Sequence, residues 1–436
     1  MYVILSYVMR VPLKILISGD MGESIPPPYT GIMKRCLLHA GQWKAGGASV
    51  FMHIHHRHDR EDDMGGGATY FYDFDKKPDI FSRLLFLLKN FFADPQLFFA
   101  ILNLEIKLSP DRDWSLMSYC AGRAVVLDRA IRKYTPDVII TETGGLQSLV
   151  SLYVGKRHNL PVVLENYAEI LFKAKEGQKN IAPLYAPLWK YLVNGADLVV
   201  SGSKHCAKGP ENYIEDNLKI RIIYSGINFD VFNGKVYADK KKARIKFDLP
   251  QDKYLVMAVG AFKMRKGHDH LFDALLMLSL EERKNITVVL CGVGDVSEVK
   301  ARAREAGFPD ESLRIFQGLS ENDLAELYSA VDCFCFPSVT PRECMGLALK
   351  EAMAIGLPVA AYDSGGISEA VTDGQNGILA KTGDKHALAQ AILRVSRMPQ
   401  EEREQIRLKN IEKSGRLFDI KITSLQLLDE LTRLTT

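Results

Sequence analysis

The chain has 436 residues, with 56 basic and 53 acidic side chains and a formal net charge of +3. At about 100–200 residues per domain, this length predicts two or perhaps three domains. Hydrophobic residues make up 47% and charged residues 25%, as is usual for a globular protein. The near balance of charge argues against a nucleic-acid-binding protein, which usually concentrates its basic residues in one field.

Seven cysteines are scattered along the chain. This odd, widely spaced set argues against a disulfide framework and favours a reducing compartment. The N-terminal apolar run has no basic residue before it and no small-residue cleavage site, so we predict no secretory signal peptide. No stretch reaches the roughly 18–20 uninterrupted apolar residues of a membrane-spanning helix. We therefore expect a cytoplasmic protein.

Short apolar runs alternate with longer helix-like segments in the first half of the chain. Most of these runs are continuously apolar, which suits strands buried on both faces of a parallel sheet. Strands that alternate with helices predict α/β units. The predicted strands are Leu13–Ser18, Ser49–His55, Val138–Thr141, Pro161–Leu164 and Leu198–Ser201, and the run Ile220–Tyr224 ends the series.

A second series of the same kind follows a turn-rich and charged segment at 228–250. Its predicted strands are Tyr254–Val259, Ile286–Cys291, Leu313–Phe316, Cys333–Pro337 and Pro358–Tyr362, and its predicted helices include Ser320–Ser329 and Gly346–Ala354. We therefore predict an N-terminal domain at 1–230, a C-terminal domain at 231–410, and a C-terminal helix at 411–436 that packs back on the first domain.

Two segments of the first half have two interpretations each. The stretch Asp79–Leu104 is rich in Phe and Leu and is interrupted by Pro95, so it predicts either a pair of core helices or an amphipathic surface that rests on a membrane. The run 53–59 contains four histidines. It predicts either a strand that ends in a polar loop or a zinc site, and the zinc site lacks a clear set of partners.

The clearest chemical pattern lies between Pro337 and Ala380. A buried strand ends at Phe336, a loop brings Glu343 to the carboxyl end of that strand, and a helix starts near Gly346. In an open α/β sheet, ligands bind just outside the carboxyl ends of the strands, and a helix start offers N–H groups that suit a phosphate. Glu351, eight residues after Glu343, adds a second carboxylate.

Glycine loops follow three other predicted strands and strengthen this interpretation. Two glutamates at this spacing are common on surface helices, so on their own they favour mere solvation. The loops lie at 260–267, 292–294 and 365–366, so flexible backbone surrounds the same edge. The first loop carries Lys263, Arg265 and Lys266, which suit a diphosphate.

These ordered blocks resemble the retaining glycosyltransferases of family 4. The resemblance covers about 254–380 through VGAFKMRKG, CGVGD, FQGLSENDLAELYSAVD, the E-x7-E run and GGISEAVTDGQNG, and it is looser in the first half, through KILISGD, PPPYTGIMKR, PDVIITE, NLPVV, ADLVVSGS and IIYSGINFDVF. The family has the GT-B fold, so the resemblance implies an α/β protein with two Rossmann-like domains that face each other across a cleft.

The resemblance implies a role for each matched residue of the second half. Glu343 contacts the hydroxyls of the donor sugar, Glu351 binds the ribose hydroxyls, and Lys266 neutralises the diphosphate. The backbone N–H groups that assist Glu343 belong to Cys344, Met345, Gly346 and Leu347. The nucleobase lies at Gly318 and Leu319, and Gly31 belongs to the N-terminal glycine loop that closes on the donor phosphates and the acceptor.

Two positions depart from the family pattern. Ala261 stands where the family usually has an arginine, so Lys263 or Arg265 is expected to supply the missing charge. The first half lacks the family's histidine after the strand NLPVV, and Asn166 or Glu165 is expected near the reacting sugar instead.

The implied activity is retaining transfer of a sugar from a nucleoside-diphosphate sugar, a UDP- or GDP-sugar, to an acceptor hydroxyl. The resemblance implies neither a cofactor nor a required metal ion. Expected partners are the nucleotide sugar and a glycan or lipid-linked acceptor of polysaccharide, lipopolysaccharide or glycolipid synthesis, with peripheral contact to the inner face of the membrane through 79–104 and no nucleic acid. The alternatives are a GT-B sugar-nucleotide epimerase or hydrolase, and a non-catalytic nucleotide-sugar-binding scaffold.

Overall fold

The computed structural model describes residues 12–19, 31–56, 67–75, 77–110, 112–171, 181–234 and 239–436. The chain divides into two compact units, of which the first is Met1–Tyr224 with Thr423–Thr436 and the second is Ser225–Ile422. Each unit contains one parallel sheet with helices packed against it. The N-terminal apolar run, for which we predict no signal peptide, lies outside the described residues.

The first unit contains a seven-stranded sheet in the order β3-β2-β1-β4-β5-β6-β7, with every neighbouring pair parallel. Its strands are β1 Lys14–Ser18, β2 Ser49–His56, β3 Thr69–Phe74, β4 Val138–Glu142, β5 Val162–Asn166, β6 Leu198–Ser201 and β7 Ile220–Ile222. The predicted strands of the first half are confirmed to within two residues, and so is the α/β fold class.

One strand, β3 at Thr69–Phe74, was not predicted. Its sequence TYFYDF is aromatic and β-branched, which favours a strand, but it lies at the edge of the sheet and most of its side chains are only half-buried. This strand lacks the continuous apolar run that marks the central strands, which is why the sequence did not predict it.

The helices of the first unit cover both faces of the sheet. Ile139 of β4 packs into one core, whereas its neighbours Val138 and Ile140 pack into the other. This alternation explains why the central strands are apolar on both faces. The helices are α1 Gly31–Ala45, α2 Ile80–Ala93, α3 Pro95–Leu108, α4 Trp114–Tyr134, α5 Leu146–Arg157, α6 Ala186–Gly195 and α7 Lys204–Glu211.

The second unit contains a six-stranded parallel sheet in the order β10-β9-β8-β11-β12-β13. Its strands are β8 Tyr254–Val259, β9 Ile286–Cys291, β10 Leu313–Phe316, β11 Cys333–Phe336, β12 Val359–Tyr362 and β13 Ile378–Ala380. Its helices are α8 Lys240–Lys246, α9 His268–Leu276, α10 Leu280–Arg283, α11 Val296–Glu305, α12 Glu321–Ala330, α13 Leu347–Ile355, α14 Ile367–Ala370, α15 Lys385–Ser396 and α16 Gln400–Leu417.

The units divide between Tyr224 and Ser225, slightly before the predicted boundary at 230. Ile223 still packs in the core of the first unit, whereas Ile227 pairs with the segment around Phe418 through two backbone hydrogen bonds in the second unit. Helix α16 packs on α13 and stays in the second unit. The last helix, α17 at Ile420–Thr435, contributes Leu427, Leu428 and Leu431 to the core of the first unit.

The segment 79–104 forms two helices that meet at a bend of 113°. Asp94 ends α2 and begins α3, where its carboxylate accepts a hydrogen bond from the Leu97 N–H at 2.9 Å and Pro95 takes the first helical position. Helix α3 buries Leu97 and Ile101 in the core, as the core-helix interpretation predicts.

Helix α2 differs from α3 because most of its apolar side chains are exposed. Ile80 is 89% exposed, Phe81 73% and Phe92 74%, whereas only Phe86 and Asn90 are buried. Among the described helices, none is by itself long and apolar enough to cross a membrane. Of these described helices, only α2 and α3 taken together, as a bent pair, have the length and composition of a membrane span.

The histidine run ends strand β2, as the strand interpretation predicts. His53 is buried and lies 2.8 Å from Asp73, and the His55 ring lies 2.7 Å from the Tyr119 hydroxyl, which donates to the same Asp73. His58 lies outside the described residues. Within the described ranges, no three His, Cys, Asp or Glu side chains are arranged to hold a metal ion.

Candidate active site

The carboxyl ends of the second sheet form an edge where glycine loops approach one another closely. A β-carbon on Gly292 would lie 1.9 Å from the Gly260 carbonyl oxygen, and one on Gly267 would lie 1.9 Å from the Pro337 carbonyl oxygen. Gly267 also has a φ of +70°, which side-chain-bearing residues rarely adopt. The loops after β8, β9 and β11 therefore pack backbone against backbone, as only glycine allows.

Lys266 and Glu343 meet at this edge. Lys266 ends a 3-10 turn after β8, and Glu343 lies in the loop after β11. The Lys266 Nζ lies 2.7 Å from Glu343 Oε2, and the Ser338 hydroxyl donates to the same oxygen at 3.0 Å. The Glu343 side chain is buried, whereas Lys266 is half-buried. A fixed carboxylate and an ammonium group with solvent access thus lie side by side.

The charge of Glu343 is stabilised in place. Burial alone would raise the pKa of its carboxyl, but the Lys266 ammonium and the Ser338 hydroxyl outweigh burial, so the pKa is lowered. Arg265 lowers it further by its charge. Glu343 is therefore an anion at neutral pH and accepts hydrogen bonds.

Helix α13 begins next to this pair. Gly346 precedes it with a φ of +67° and no side chain caps the helix start. A β-carbon on Gly346 would lie 2.6 Å from the Phe336 ring and 3.4 Å from Glu343 Oε1. The first-turn N–H groups and the positive end of the helix dipole therefore lie close to Glu343, in an arrangement that favours an anion.

Glu351 lies inside α13, and Glu343 precedes that helix, so the two glutamates do not share a helix face as they would on one surface helix. Glu351 is buried, and the Tyr328 hydroxyl of α12 lies 3.3 Å from its Oε2. The loop residues between the two glutamates differ in exposure, because Met345 is buried whereas Cys344 and Leu347 are half-buried.

The other predicted residues of the second unit lie at the same edge with different surroundings. Arg265 is exposed, and its carbonyl oxygen lies 3.3 Å from the Ser338 hydroxyl oxygen. Lys263 lines a cavity of about 290 Å³ together with residues of α9 and α11. The positive charge in contact with Glu343 is therefore that of Lys266, and Arg265 adds a weaker electrostatic effect.

The predicted nucleobase residues follow β10. Gly318 is exposed, has a φ of +68° and has open space at the position of a β-carbon. The Gln317 side chain donates to the Gly294 carbonyl oxygen at 3.0 Å, which ties this loop to the loop after β9. Leu319 is half-buried beside it.

The predicted residues of the first unit are Gly31 and Asn166. Gly31 begins α1, and the rest of its predicted glycine loop, 26–30, lies outside the described residues. Asn166 ends β5, where its amide donates to the Cys206 carbonyl oxygen at 2.9 Å and accepts from the Ile170 N–H at 3.2 Å. These bonds give Asn166 a part in holding the loop after β5.

Sequence reasoning missed a buried ion cluster at the carboxyl edge of the first sheet. Arg35 of α1 pairs with Glu142 at the end of β4 and lies 3.5 Å from Glu165 of β5. The Arg35 guanidinium also lies 3.4 Å from the centre of the Tyr167 ring. Glu142, the last residue of β4, and Glu165, the last but one of β5, are visible in the sequence, but nothing in the sequence indicates that Arg35 is their partner.

Comparison with known proteins finds similarity in sequence for the second unit and in fold for nearly the whole chain. Residues 239–413 match the family of glycosyl transferases group 1. The second unit of the chain is therefore similar to this family over most of its length. It resembles the retaining enzymes of family 4, and the parallel α/β architecture of both units is that of the GT-B fold.

Curated relatives are similar to this chain over part of its length. A D-inositol 3-phosphate glycosyltransferase of Streptosporangium roseum is 31% identical over 190 residues, which cover 42% of this chain and 42% of that protein. The chain thus matches about half the length of such curated relatives.

Two solved structures share the fold over nearly the whole chain. A glycosyltransferase from Rickettsia africae has a TM-score of 0.71 at 18% identity and covers 97% of this chain and 98% of its own. HepE of Anabaena, in complex with UDP and glucose, has a TM-score of 0.69 at 18% identity and covers 97% of this chain and 100% of its own.

Proposed function

We propose that this protein transfers a sugar from a nucleoside-diphosphate sugar to an acceptor hydroxyl with retention at the anomeric carbon. The observation that carries the proposal is the 2.7 Å pair of Lys266 and Glu343 beside the uncapped start of α13. A cation, a fixed anion and free helix N–H groups at one sheet edge match the chemistry of a sugar joined to a diphosphate.

Each group has a distinct role in the proposal. The Lys266 ammonium and the start of α13 stabilise the charge that grows on the leaving diphosphate, which is electrostatic catalysis. Glu343 accepts hydrogen bonds from the donor sugar, and Glu351 accepts them from the ribose. Gly318 and Leu319 border the nucleobase. Because these contacts position the reactants, most of the barrier reduction comes from orientation and charge.

One structural neighbour supports the choice of donor, and the curated relatives support sugar transfer. HepE, which shares the fold, was solved with UDP and glucose, and the relatives at about 30% identity are named as glycosyltransferases. We propose a UDP- or GDP-sugar as donor, and a glycan or a lipid-linked precursor of polysaccharide, lipopolysaccharide or glycolipid as acceptor.

We further propose that the reaction needs no divalent metal ion, because Lys266 and Arg265 already place positive charge beside Glu343. Turnover in the presence of excess EDTA tests this step. Retention of activity supports it, and loss that is restored by added Mg²⁺ or Mn²⁺ contradicts it.

The activity is tested by a screen of sugar nucleotides. A donor that binds the folded protein raises the melting temperature by mass action, and the best donor is then incubated with and without acceptor glycans. Transfer to an acceptor supports the proposal. Consumption of the donor without an acceptor identifies an epimerase or hydrolase, and binding without turnover identifies a scaffold.

The exposed apolar face of α2 supports a second part of the proposal, which is peripheral contact with the inner face of a membrane. Ile80, Phe81 and Phe92 are largely exposed, and the exposed charges within α2, Arg83 and Lys89, are both basic. A bilayer that contains anionic lipids offers an apolar layer for the first group and anionic headgroups for the second.

Vesicle sedimentation tests the membrane contact. We expect the wild-type protein to bind vesicles of anionic phospholipid more strongly than vesicles of zwitterionic phospholipid, and Phe81→Ser combined with Phe92→Ser to abolish binding. Leu218→Ser is the matched control, since Leu218 is 81% exposed on a short helix outside α2 and α3. Two results contradict the proposal. One is vesicle binding by the double variant at the wild-type level. The other is a wild-type dimer that these substitutions dissociate, because the apolar face would then serve self-association.

A further inference from the structure

Tyr328 of α12 is the buried partner of Glu351. Its hydroxyl oxygen lies 3.3 Å from Glu351 Oε2 and 3.2 Å from the carbonyl oxygen of Ala348, one turn earlier in α13. Both Tyr328 and Glu351 are buried. A buried carboxylate that loses a hydrogen-bond donor becomes costly, so this contact contributes to keeping the Glu351 side chain in place.

The Tyr328 hydroxyl has one proton to donate, and its surroundings keep the hydroxyl protonated. Burial raises the pKa of Tyr328 well above its usual value, and the Glu351 carboxylate raises it further. Tyr328 therefore donates at every physiological pH. A charged acceptor takes a stronger hydrogen bond than a neutral one, so Glu351 competes well with the Ala348 carbonyl for this proton.

The position of the hydroxyl is set by the rings around it. The Tyr328 ring makes edge contacts with Phe232, at 6.1 Å between centroids, and with Phe334 of β11, at 5.8 Å. These edge-to-face pairs are preferred aromatic arrangements. Because the three rings are fully buried, the hydroxyl has little freedom to follow Glu351 if that carboxylate turns.

We infer that Tyr328 is a positioning residue that fixes Glu351 for the ribose and thereby sets the preference of the site for ribose over deoxyribose. It holds one carboxylate oxygen of Glu351 and so defines the plane in which the carboxylate meets the two ribose hydroxyls. This inference rests on the proposed role of Glu351 as the ribose-binding group. Tyr328 itself does not contact the donor.

The test compares the affinities of a nucleoside diphosphate and of its 2′-deoxy counterpart by calorimetry. In the wild-type protein we expect the ribose form to bind about 10- to 100-fold more tightly, as befits lost hydrogen bonds to a charged group. In Tyr328→Phe we expect this ratio to fall about tenfold, with little change in the affinity for the deoxy form. A purely structural tyrosine would weaken both ligands alike.

Tyr362→Phe is the matched control, because Tyr362 is a buried tyrosine of the same unit, at the end of β12, and its hydroxyl lies 3.2 Å from a His270 nitrogen. It should leave the ratio unchanged. In a Glu351→Gln background the Tyr328→Phe substitution should have no further effect on the ratio, and this comparison remains informative if the single variant is less stable.

The possible results distinguish a failure of the positioning role of Tyr328 from a failure of the proposed function. If wild-type protein prefers the ribose form and Tyr328→Phe retains that preference, the positioning role is wrong and the proposed function stands. If the wild-type protein binds no nucleoside diphosphate, both are wrong. A ratio that falls in Tyr328→Phe and not in Tyr362→Phe supports the inference.

Discussion

The two sheets of this protein have the same parallel construction but use their carboxyl edges differently. In the second unit that edge is built of glycine loops around Lys266 and Glu343, and Lys266 keeps solvent access. In the first unit, three charged or ionisable side chains at the corresponding edge contact one another. Arg35 lies between Glu142 and Glu165, and all three are buried.

A second buried network in the first unit makes the contrast stronger. Asp73 accepts hydrogen bonds from Arg123 at 2.5 Å and from the Tyr119 hydroxyl at 2.6 Å, and it lies 2.8 Å from His53. Burial would raise the pKa of Asp73, but the Arg123 charge and these hydrogen bonds lower it far below its usual value. Charges that are satisfied internally hold a fold, whereas charges with solvent access are available to a ligand.

The pKa values of the first edge reflect this confinement. Burial raises the pKa of the Glu165 carboxyl to about 8, and the nearby Glu142 charge adds to the effect, which Arg35 only partly opposes. At the second edge the pKa of Glu343 is lowered. The predictions below test whether the first edge serves stability and the second serves binding.

The largest effect is expected at Arg35. Arg35→Met leaves the buried Glu142 carboxylate without its cation, and breaking a buried pair in this way typically costs about 3–5 kcal/mol. Equilibrium urea unfolding should show this loss. The control is Arg433→Met, whose ion pair with Asp429 lies at the surface and should change stability by less than about 1 kcal/mol. Equal losses in the free energy of unfolding of the two variants would contradict a stabilising role of the first edge.

The next effect concerns Glu105 of α3, which is fully buried. Burial raises its pKa to about 9, and the Cys120 thiol offsets this only slightly. Above about pH 4.5 the unfolded chain releases this proton while the folded protein keeps it, so stability falls as the pH rises towards 9. Glu105→Gln removes this dependence and should stabilise the protein relative to wild type by about 3 kcal/mol at pH 7.

Urea unfolding of the wild type and Glu105→Gln between pH 5 and 9 checks the sign. The difference should grow steadily across this range. The exposed Glu211→Gln serves as the control and should show no such growth. A constant difference for Glu105→Gln would mean that Glu105 is ionised in the folded protein.

A smaller effect is expected at Gly365 in the second edge. It has a φ of +60°, and a β-carbon there would lie 2.0 Å from the Glu343 carbonyl oxygen, so Gly365→Ala must displace Glu343. A displacement of about 1 Å at such a site costs roughly 100-fold in turnover. Gly374→Ala is matched in φ, at +72°, but meets no atom within 4 Å, and it should lower stability with near-normal turnover. Similar turnover in both variants would contradict the placement of Glu343.

The sequence predicted the second edge better than the first for a physical reason. Glycine loops after apolar strands have a fixed geometric consequence, because parallel strands end on one side of a sheet, so Lys266 and Glu343 were expected to lie near each other. Buried residues such as Arg35 and Tyr328 are single positions inside ordinary helical patterns. Their contacts become visible only in the three-dimensional packing. Strand β3 was missed because an edge strand lacks the continuous apolar run.

The central claim is that the donor diphosphate binds at Lys266, and calorimetric titration of a nucleoside diphosphate measures this most directly. Lys266→Met should weaken binding at least about 100-fold, since it removes a charge-stabilising group at the edge. The exposed Lys381→Met, in the same unit, should bind like the wild type. Wild-type affinity in Lys266→Met, or no binding by the wild-type protein, would contradict the claim.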